Sequence, residues 1–246
     1  MLSKAQIKFI QSLQRNKFRS EYQQYIAEGA KIVPELIQAG AKIAQLYALP
    51  EWITQNSLLL KQRQIAVETI TADELAKISA LAAPNQVLAI IAMPQYETKT
   101  VSEGLSIALD SIRDPGNLGT IVRTADWFGI KRVYCSFDCV DLYNPKTVQS
   151  TMGSIARVEV VYIDLEELFN ANPKVSVFAA DMQGKSLYDT TMPENGFLLI
   201  GSESHGVSPA LLSRSQQITI PRFGGAESLN AAIAAGIILG WWKGKP

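Results

Sequence analysis

The chain has few of the residues that build disulfide scaffolds and metal clusters. Its 246 residues include two cysteines, Cys135 and Cys139, and one histidine, His205. That excludes a disulfide framework and a zinc site of ordinary ligand spacing, so no metal is expected. Two cysteines flanking an extended segment read as free core thiols in a reduced, cytoplasmic setting. Charge of one sign is also missing: basic and acidic residues number 23 each, so net charge alone does not advertise a nucleic-acid partner. The N-terminus lacks the apolar core and cleavage site of a secretory leader. The longest apolar run, Leu229 to Trp242, is short for a bilayer and is interrupted by Gly236 and Gly240. It reads as a buried helix, with no membrane partner. No Gly-Lys-Ser/Thr phosphate loop and no G-x-G-x-x-G occur, which disfavours a nucleotide hydrolase or a dinucleotide-binding Rossmann enzyme. The hydrolase elbow G-x-S-x-G fails because Ser202 stands before Ser204 where glycine is required. His205 is adjacent to Ser204, and that adjacency argues against a nucleophile–base pair between them.

What is present is a globular composition, 47% hydrophobic, long enough for one large domain or two ordinary ones. Polar residues concentrate once between two apolar stretches, around Met93 to Glu103. We read residues 1–95 as one domain, 96–104 as a linker and 105–246 as a second domain. Basic residues cluster at the start: Lys4, Lys8, Arg15, Lys17, Arg19, Lys31 and Lys42 face only Glu21, Glu28 and Glu35.

The first region mixes helical and extended patterns. Ile7, Ile10 and Leu13 have helical spacing, and Tyr25 to Ala39 reads as a second helix broken or started at Pro34. Gln45 to Leu49 and Val87 to Ala92 read as strands, and Thr71 as a helix cap. The second region alternates regularly. Strands are expected at 105–110, 132–135, 158–162, 175–180, 197–200 and 217–220. Helices are expected at 117–128, 145–152, from Asp164, and at 228–242. That rhythm predicts an α/β fold with a parallel sheet covered by helices on both faces.

Three segments carry chemistry. In the first, Asp114 to Gly129, Asn117 can cap a helix, Gly119 permits close backbone approach, and Arg123 lies in the second turn, near the positive helix start where a phosphate would bind. A plain capped helix with a surface arginine is the competing reading. In the second, an apolar strand ends in the loop Gly201-Ser-Glu-Ser-His-Gly206, whose one acid is Glu203. Ligands in open α/β sheets bind beyond such strand ends. A plain strand-to-helix turn competes with it. In the third, a strand ends at Ile220-Pro221, a Gly-rich turn follows, and Ser228-Leu229-Asn230 opens a helix. Backbone amides and carbonyls of such a turn can read an adenine edge.

The order and spacing of these segments resemble the SpoU/TrmH family of RNA 2′-O-methyltransferases, within the SPOUT superfamily. Asn117-x-Gly119-x-x-x-Arg123-Thr-Ala-Asp126 is similar to that family's first motif. Gly201-x-Glu203-x-x-Gly206 is similar to its second, and Ile220-Pro221 with Ser228-Leu229-Asn230 to its third. Tyr143 to Gly153 resembles its linking helix. Lys17-Phe-Arg-Ser-Glu and Ile26-Ala-Glu28-Gly29 resemble the small ribosomal-protein-like, RNA-binding α/β domain that precedes many members. The chain departs from the common pattern at Ser204, Arg222 and Ala232, where members often have glycine, methionine and serine.

The resemblance implies a deep trefoil knot in the second domain, which pattern alone would not suggest because knots are rare. It implies S-adenosylmethionine as cofactor, held by Gly201, Ser202, Ile220, Pro221 and Leu229. Arg123, Asn117, Glu203, Ser228 and Asn230 would be the catalytic set, and the protein would be a homodimer with its site near the interface. Arg15, Lys17, Arg19 and Lys31 are assigned to RNA phosphates; an ordinary solvated face is the alternative. A guanidinium stays protonated, so Arg123 would fix a phosphate and lower the pKa of the ribose hydroxyl rather than take its proton. The implied activity is methyl transfer to a ribose 2′-hydroxyl of structured RNA. The appended first domain favours ribosomal over transfer RNA. A catalytically silent RNA-binding assembly protein is the rival from another class.

Overall fold

The computed structural model describes residues 1–96 and 104–244. All but the two ends of the expected 96–104 linker therefore lies outside the described residues. The chain groups into two compact units: Met1–Gln95 with Asp141–Ala156, and Tyr96–Val140 with Arg157–Pro246.

The first unit begins with α1 (Lys4–Ser12) and α2 (Asn16–Tyr22). Ser3 caps α1 and Gln6 returns the bond, a reciprocal box that satisfies two otherwise orphaned amides. Next come β1 (Gln24–Glu28), α3 (Ile32–Gln38), β2 (Ile43–Ala48), α4 (Pro50–Gln55), α5 (Ser57–Arg63), β3 (Glu68–Thr69), α6 (Ala72–Ile78) and β4 (Val87–Ala92). Thr71 caps α6 as its sequence predicts, with Glu74 completing the box. The expected helix over 25–39 is two elements. Its first half is strand β1, paired antiparallel with β4 from Gln24↔Ala92 to Glu28↔Leu88. The cause is non-local: Tyr25, Ile26 and Ala27 complete a sheet of order β1-β4-β2-β3 rather than pack as a helix face.

The second unit contains β5 (Leu105–Leu109), α7 (Pro115–Trp127) and β6 (Arg132–Cys135). Then α8 (Pro145–Thr151), capped by Asn144, groups with the first unit, although it lies within the span read as the second domain. It packs on β1, its leading Tyr143 ring rests 4.8 Å from Tyr25, and Asp141 just before it pairs with Arg19. The chain continues with β7 (Glu159–Tyr162), α9 (Leu165–Ala171), β8 (Val177–Ser186), β9 (Gly196–Ile200), α10 (Pro209–Leu212), β10 (Gln216–Thr219) and α11 (Ala231–Gly244). The six strands form one all-parallel sheet of order β10-β8-β9-β5-β6-β7, flanked by helices. Every residue of β5 and β9 is buried, as strands covered on both faces must be. Phe197, Tyr134 and Phe169 fill one side as an aromatic cluster, with Phe197 centred 5.8 and 5.3 Å from the other two rings. On the other, α11 packs against α7 and β9. No described helix is long and apolar enough to cross a membrane.

Candidate functional site

Two helix ends set the geometry. Helix α7 starts two residues earlier than its sequence suggests, and Asp114 rather than Asn117 is its cap, accepting from the Asn117 amide at 2.9 Å. Proline at the first helical position explains the shift: its missing N–H costs nothing there. The Asn117 side chain is thereby free for another use. Helix α11 starts at Ala231, not Ser228, and Asn230 caps it, its Oδ1 accepting from the amides of Ala232 and Ile233 at 3.0 and 3.2 Å.

These two asparagines meet over one carboxylate. Asn117 Nδ2 donates to Glu203 Oε1 at 2.8 Å, and Asn230 Nδ2 donates to the same oxygen and to Asn117 Oδ1, both at 2.8 Å. Three residues from three separate segments thus form a closed hydrogen-bonded triangle. Asn117 is buried, while Glu203 and Asn230 are exposed, so the triangle runs from the interior to the surface.

The loop carrying Glu203 is fixed by backbone. Ser202 and Gly206 exchange both main-chain bonds, at 3.1 and 2.9 Å, and Gly206 holds φ +67°. A side chain on Gly201 would collide with the Gly206 carbonyl group, so only glycine lets the two limbs of this loop touch. The Asp110 carboxylate, at the end of β5, accepts from the Ser208 amide at 2.8 Å and ties the far end of the loop to the sheet.

Beside it lies a cavity of about 980 Å³. Gly201, Ser202, Glu203, Ile220, Pro221, Ser228 and Leu229 all line it, so the second and third sequence segments do converge. Sequence reasoning missed its third wall, Ala180 to Gln183. There β10 pairs with Ala179 and then jumps to Lys185, so the intervening residues bulge out of β8. The strand runs on to Ser186, six residues past its expected end, and the Gly184 inside it is the residue type that marks such a bulge. A Cβ there would come 2.5 Å from the Gln217 backbone.

Other expected residues fall elsewhere. Arg123 does not line the cavity. It sits about 12 Å along α7 from Pro115, in the third turn rather than the second, exposed and without a hydrogen bond or ion pair among the described residues. Its separation of six residues from Asn117 places it on another face of the helix. Arg15, Lys17 and Lys31 are exposed, as phosphate contacts must be. Arg19 is not: it is 2% exposed, with its guanidinium donating to Asp141 Oδ2 at 2.5 Å and to the Leu13 carbonyl at 3.0 Å. It is a structural arginine, not a phosphate contact. An unpaired buried charge would be far costlier than this forked bond. Ser204 Oγ and His205 Nδ1 do bond, at 2.7 Å, despite their adjacency. Both are exposed, and no described carboxylate bonds the ring, so the orienting third group of a triad is missing. Among the described residues no group of three or more histidine, cysteine or acidic side chains could hold a metal. Both cysteines are buried and free. The bond from Cys135 holds the Cys139 thiol down at about 7, while Cys135 is pushed well up by the same bond and by burial.

This geometry has close counterparts. The SpoU rRNA Methylase family matches residues 104–240, and the MRM3-like substrate binding domain matches residues 4–89. The 23S rRNA (guanosine(2553)-2′-O)-methyltransferase of Bacillus subtilis is 29% identical over 237 residues, spanning 95% of this chain and 94% of that protein. A solved TrmH-family protein from Porphyromonas gingivalis is 34% identical with a TM-score of 0.86, covering 98% of both chains. An AdoMet-bound rRNA methyltransferase from Sinorhizobium meliloti superposes with a TM-score of 0.87 at 28% identity, over 99% of this chain and 95% of that one. The family match covers more than half of the sequence and includes every segment that lines the cavity, and the chain belongs to the SpoU rRNA methylase family.

Proposed function

We propose that this protein transfers a methyl group from S-adenosylmethionine to a ribose 2′-hydroxyl of structured RNA, ribosomal RNA before transfer RNA. The observation that carries the reading is convergence: Gly201 of the second segment and Ile220 and Leu229 of the third line one cavity whose edge bears the Asn117–Glu203–Asn230 triangle.

The cavity suits a nucleoside cofactor. Gly201 lines it with bare backbone and lets the loop close on itself, and the wall from Ile220 to Leu229 offers main-chain donors and acceptors of the kind that read an adenine edge. Gly201, Ser202, Ile220, Pro221 and Leu229 would hold it. The cofactor supplies a methyl group already activated on a sulfonium. What remains for the protein is alignment and proton management. Glu203, its Oε1 held by two amides, is fixed at the cavity wall, and Ser228 lines the same cavity from the third segment. Arg123 holds the phosphate next to the reacting ribose and lowers the pKa of the hydroxyl, leaving phosphate or water to take the proton. A charged fork suits that role better than a base does.

Because Arg123 is remote from its own cavity, we assign the active form to a homodimer in which α7 of one copy reaches the site of the other. The exposed Trp127 lies one turn beyond Arg123, and Ile233 and Ile237 lie one turn apart on α11, which packs against α7. Together they offer an apolar face of the kind that marks an interface. The trefoil knot and a cytoplasmic setting complete the reading. We assign residues 1–95 to RNA, through Arg15, Lys17 and Lys31, and 105–246 to catalysis.

The test is methyl transfer from labelled S-adenosylmethionine into total RNA, with the ribose methylation then mapped. One modified 2′-hydroxyl in ribosomal RNA is expected. Cofactor binding without transfer into any RNA would instead favour a silent binding protein.

A further inference from the structure

The third motif contains a residue that the reaction above does not use. Phe223 is 93% exposed, yet it lines the same cavity as Gly201, Ile220 and Leu229. A single exposed aromatic on a surface is ordinary. Its surroundings here are not. It follows Arg222, whose Nη1 donates to the Ala226 carbonyl at 3.3 Å and so closes the loop behind the ring. It precedes Gly224 and Gly225, where an added Cβ would meet nothing within 4 Å and where neither residue holds a positive φ. Neither packing nor backbone strain within the chain therefore calls for glycine beside the ring. What two glycines do provide is clear access to its face. Across the cavity, the bulge of β8 presents Met182, also exposed.

We propose that Phe223 is a stacking platform for a base of the RNA substrate, at or next to the methylated nucleotide, with Arg222 beside it serving the backbone phosphate. The inference rests on the RNA methyl-transfer reading and adds the residue that receives the base. Single-stranded or splayed RNA bases stack on aromatic rings and guanidinium planes, whatever their hydrogen-bonding edges. The cavity, at about 980 Å³, is at the top of the range for small-molecule sites, so there is room beyond one nucleoside. The cofactor is the less fitting occupant, because the main chain of Gly201, Ile220 and Leu229 already forms its wall. A second protein copy is also less fitting, because the apolar face offered to it lies on α7 and α11 rather than on this loop.

The test compares the full-length protein with Phe223→Ala and Phe223→Trp. Binding is measured to in vitro transcribed large-subunit ribosomal RNA at several salt concentrations, alongside calorimetric titration with S-adenosylmethionine and light scattering for subunit number. Phe223→Ala weakens RNA binding about tenfold, and Phe223→Trp restores it. The salt slope stays unchanged, because a ring releases no counterions. Cofactor affinity and subunit number also stay unchanged. Unaltered RNA affinity in Phe223→Ala overturns the proposal, as does a defect that falls on the cofactor or the subunit number instead. If the wild-type protein binds this RNA but places no methyl on it, the methyl-transfer reading falls while the affinity comparison still decides Phe223. If the wild type does not bind the RNA, both fall.

Discussion

Two loops line the same cavity and are built in opposite ways. The loop from Gly201 to Gly206 is stitched to itself by paired main-chain bonds, tied to the sheet through Asp110 and closed so tightly that Gly201 has no room for a methyl group. The loop from Arg222 to Leu229 is exposed at every residue, and a Cβ added to either of its two glycines would meet nothing within 4 Å. Both loops expose side chains, but only the first has its backbone locked before any ligand arrives. A preformed wall suits a cofactor that must be held in one orientation, and an open wall suits a large substrate that brings its own surface.

The comparison breaks first at Gly201. Gly201→Ala forces a Cβ into the Gly206 carbonyl, so the variant should lose about 1–3 kcal/mol of stability in chemical denaturation and its cofactor binding by calorimetry. Retained binding would mean that the stiffness of that wall is incidental. Next comes Arg123→Lys, which keeps the charge but not the fork. Turnover should fall at least about tenfold, roughly 1.4 kcal/mol of barrier, with the melting temperature unchanged because Arg123 has no described partner. Normal turnover would remove Arg123 from the mechanism. Asn230→Ala sits between the two walls. It removes a helix cap and two bonds to the triangle, so about 1 kcal/mol of stability should go together with activity. A variant that melts normally but is inactive would separate the two roles. The smallest effect is expected at Gly224→Ala, within about 0.5 kcal/mol of wild type. A larger loss would show that the open wall is packed after all.

Local signals were legible in the sequence and distant ones were not. The Thr71–Glu74 box and the proline that opens α8 act within one turn, and both appear where the pattern puts them. Tyr25 to Glu28 misread as helix because the partner that makes it a strand, β4, lies some sixty residues on. The cap of α7 was legible in principle: Asp-Pro points to the aspartate, and taking Asn117 for the cap hid its bond to Glu203. Arg19 looked like its neighbours Arg15 and Lys17 because nothing near it in sequence announces Asp141 as its partner. Gly201, Ser202, Ile220, Pro221 and Leu229 were singled out through the family resemblance, and all five line one cavity. The β8 wall was not, because its bulge exists only in the register against β10.

Asn230 holds the start of the last helix with one end of its amide and the triangle with the other. Closure of the triangle and capping of the C-terminal helix therefore depend on one side chain. Anything that frays the first turn of α11 takes away one of the two amides that hold Glu203 and leaves Asn117 alone to hold it. A change in the first turn of α11 would thus reach both the Glu203 loop and the first turn of α7, while the sheet behind them still stands.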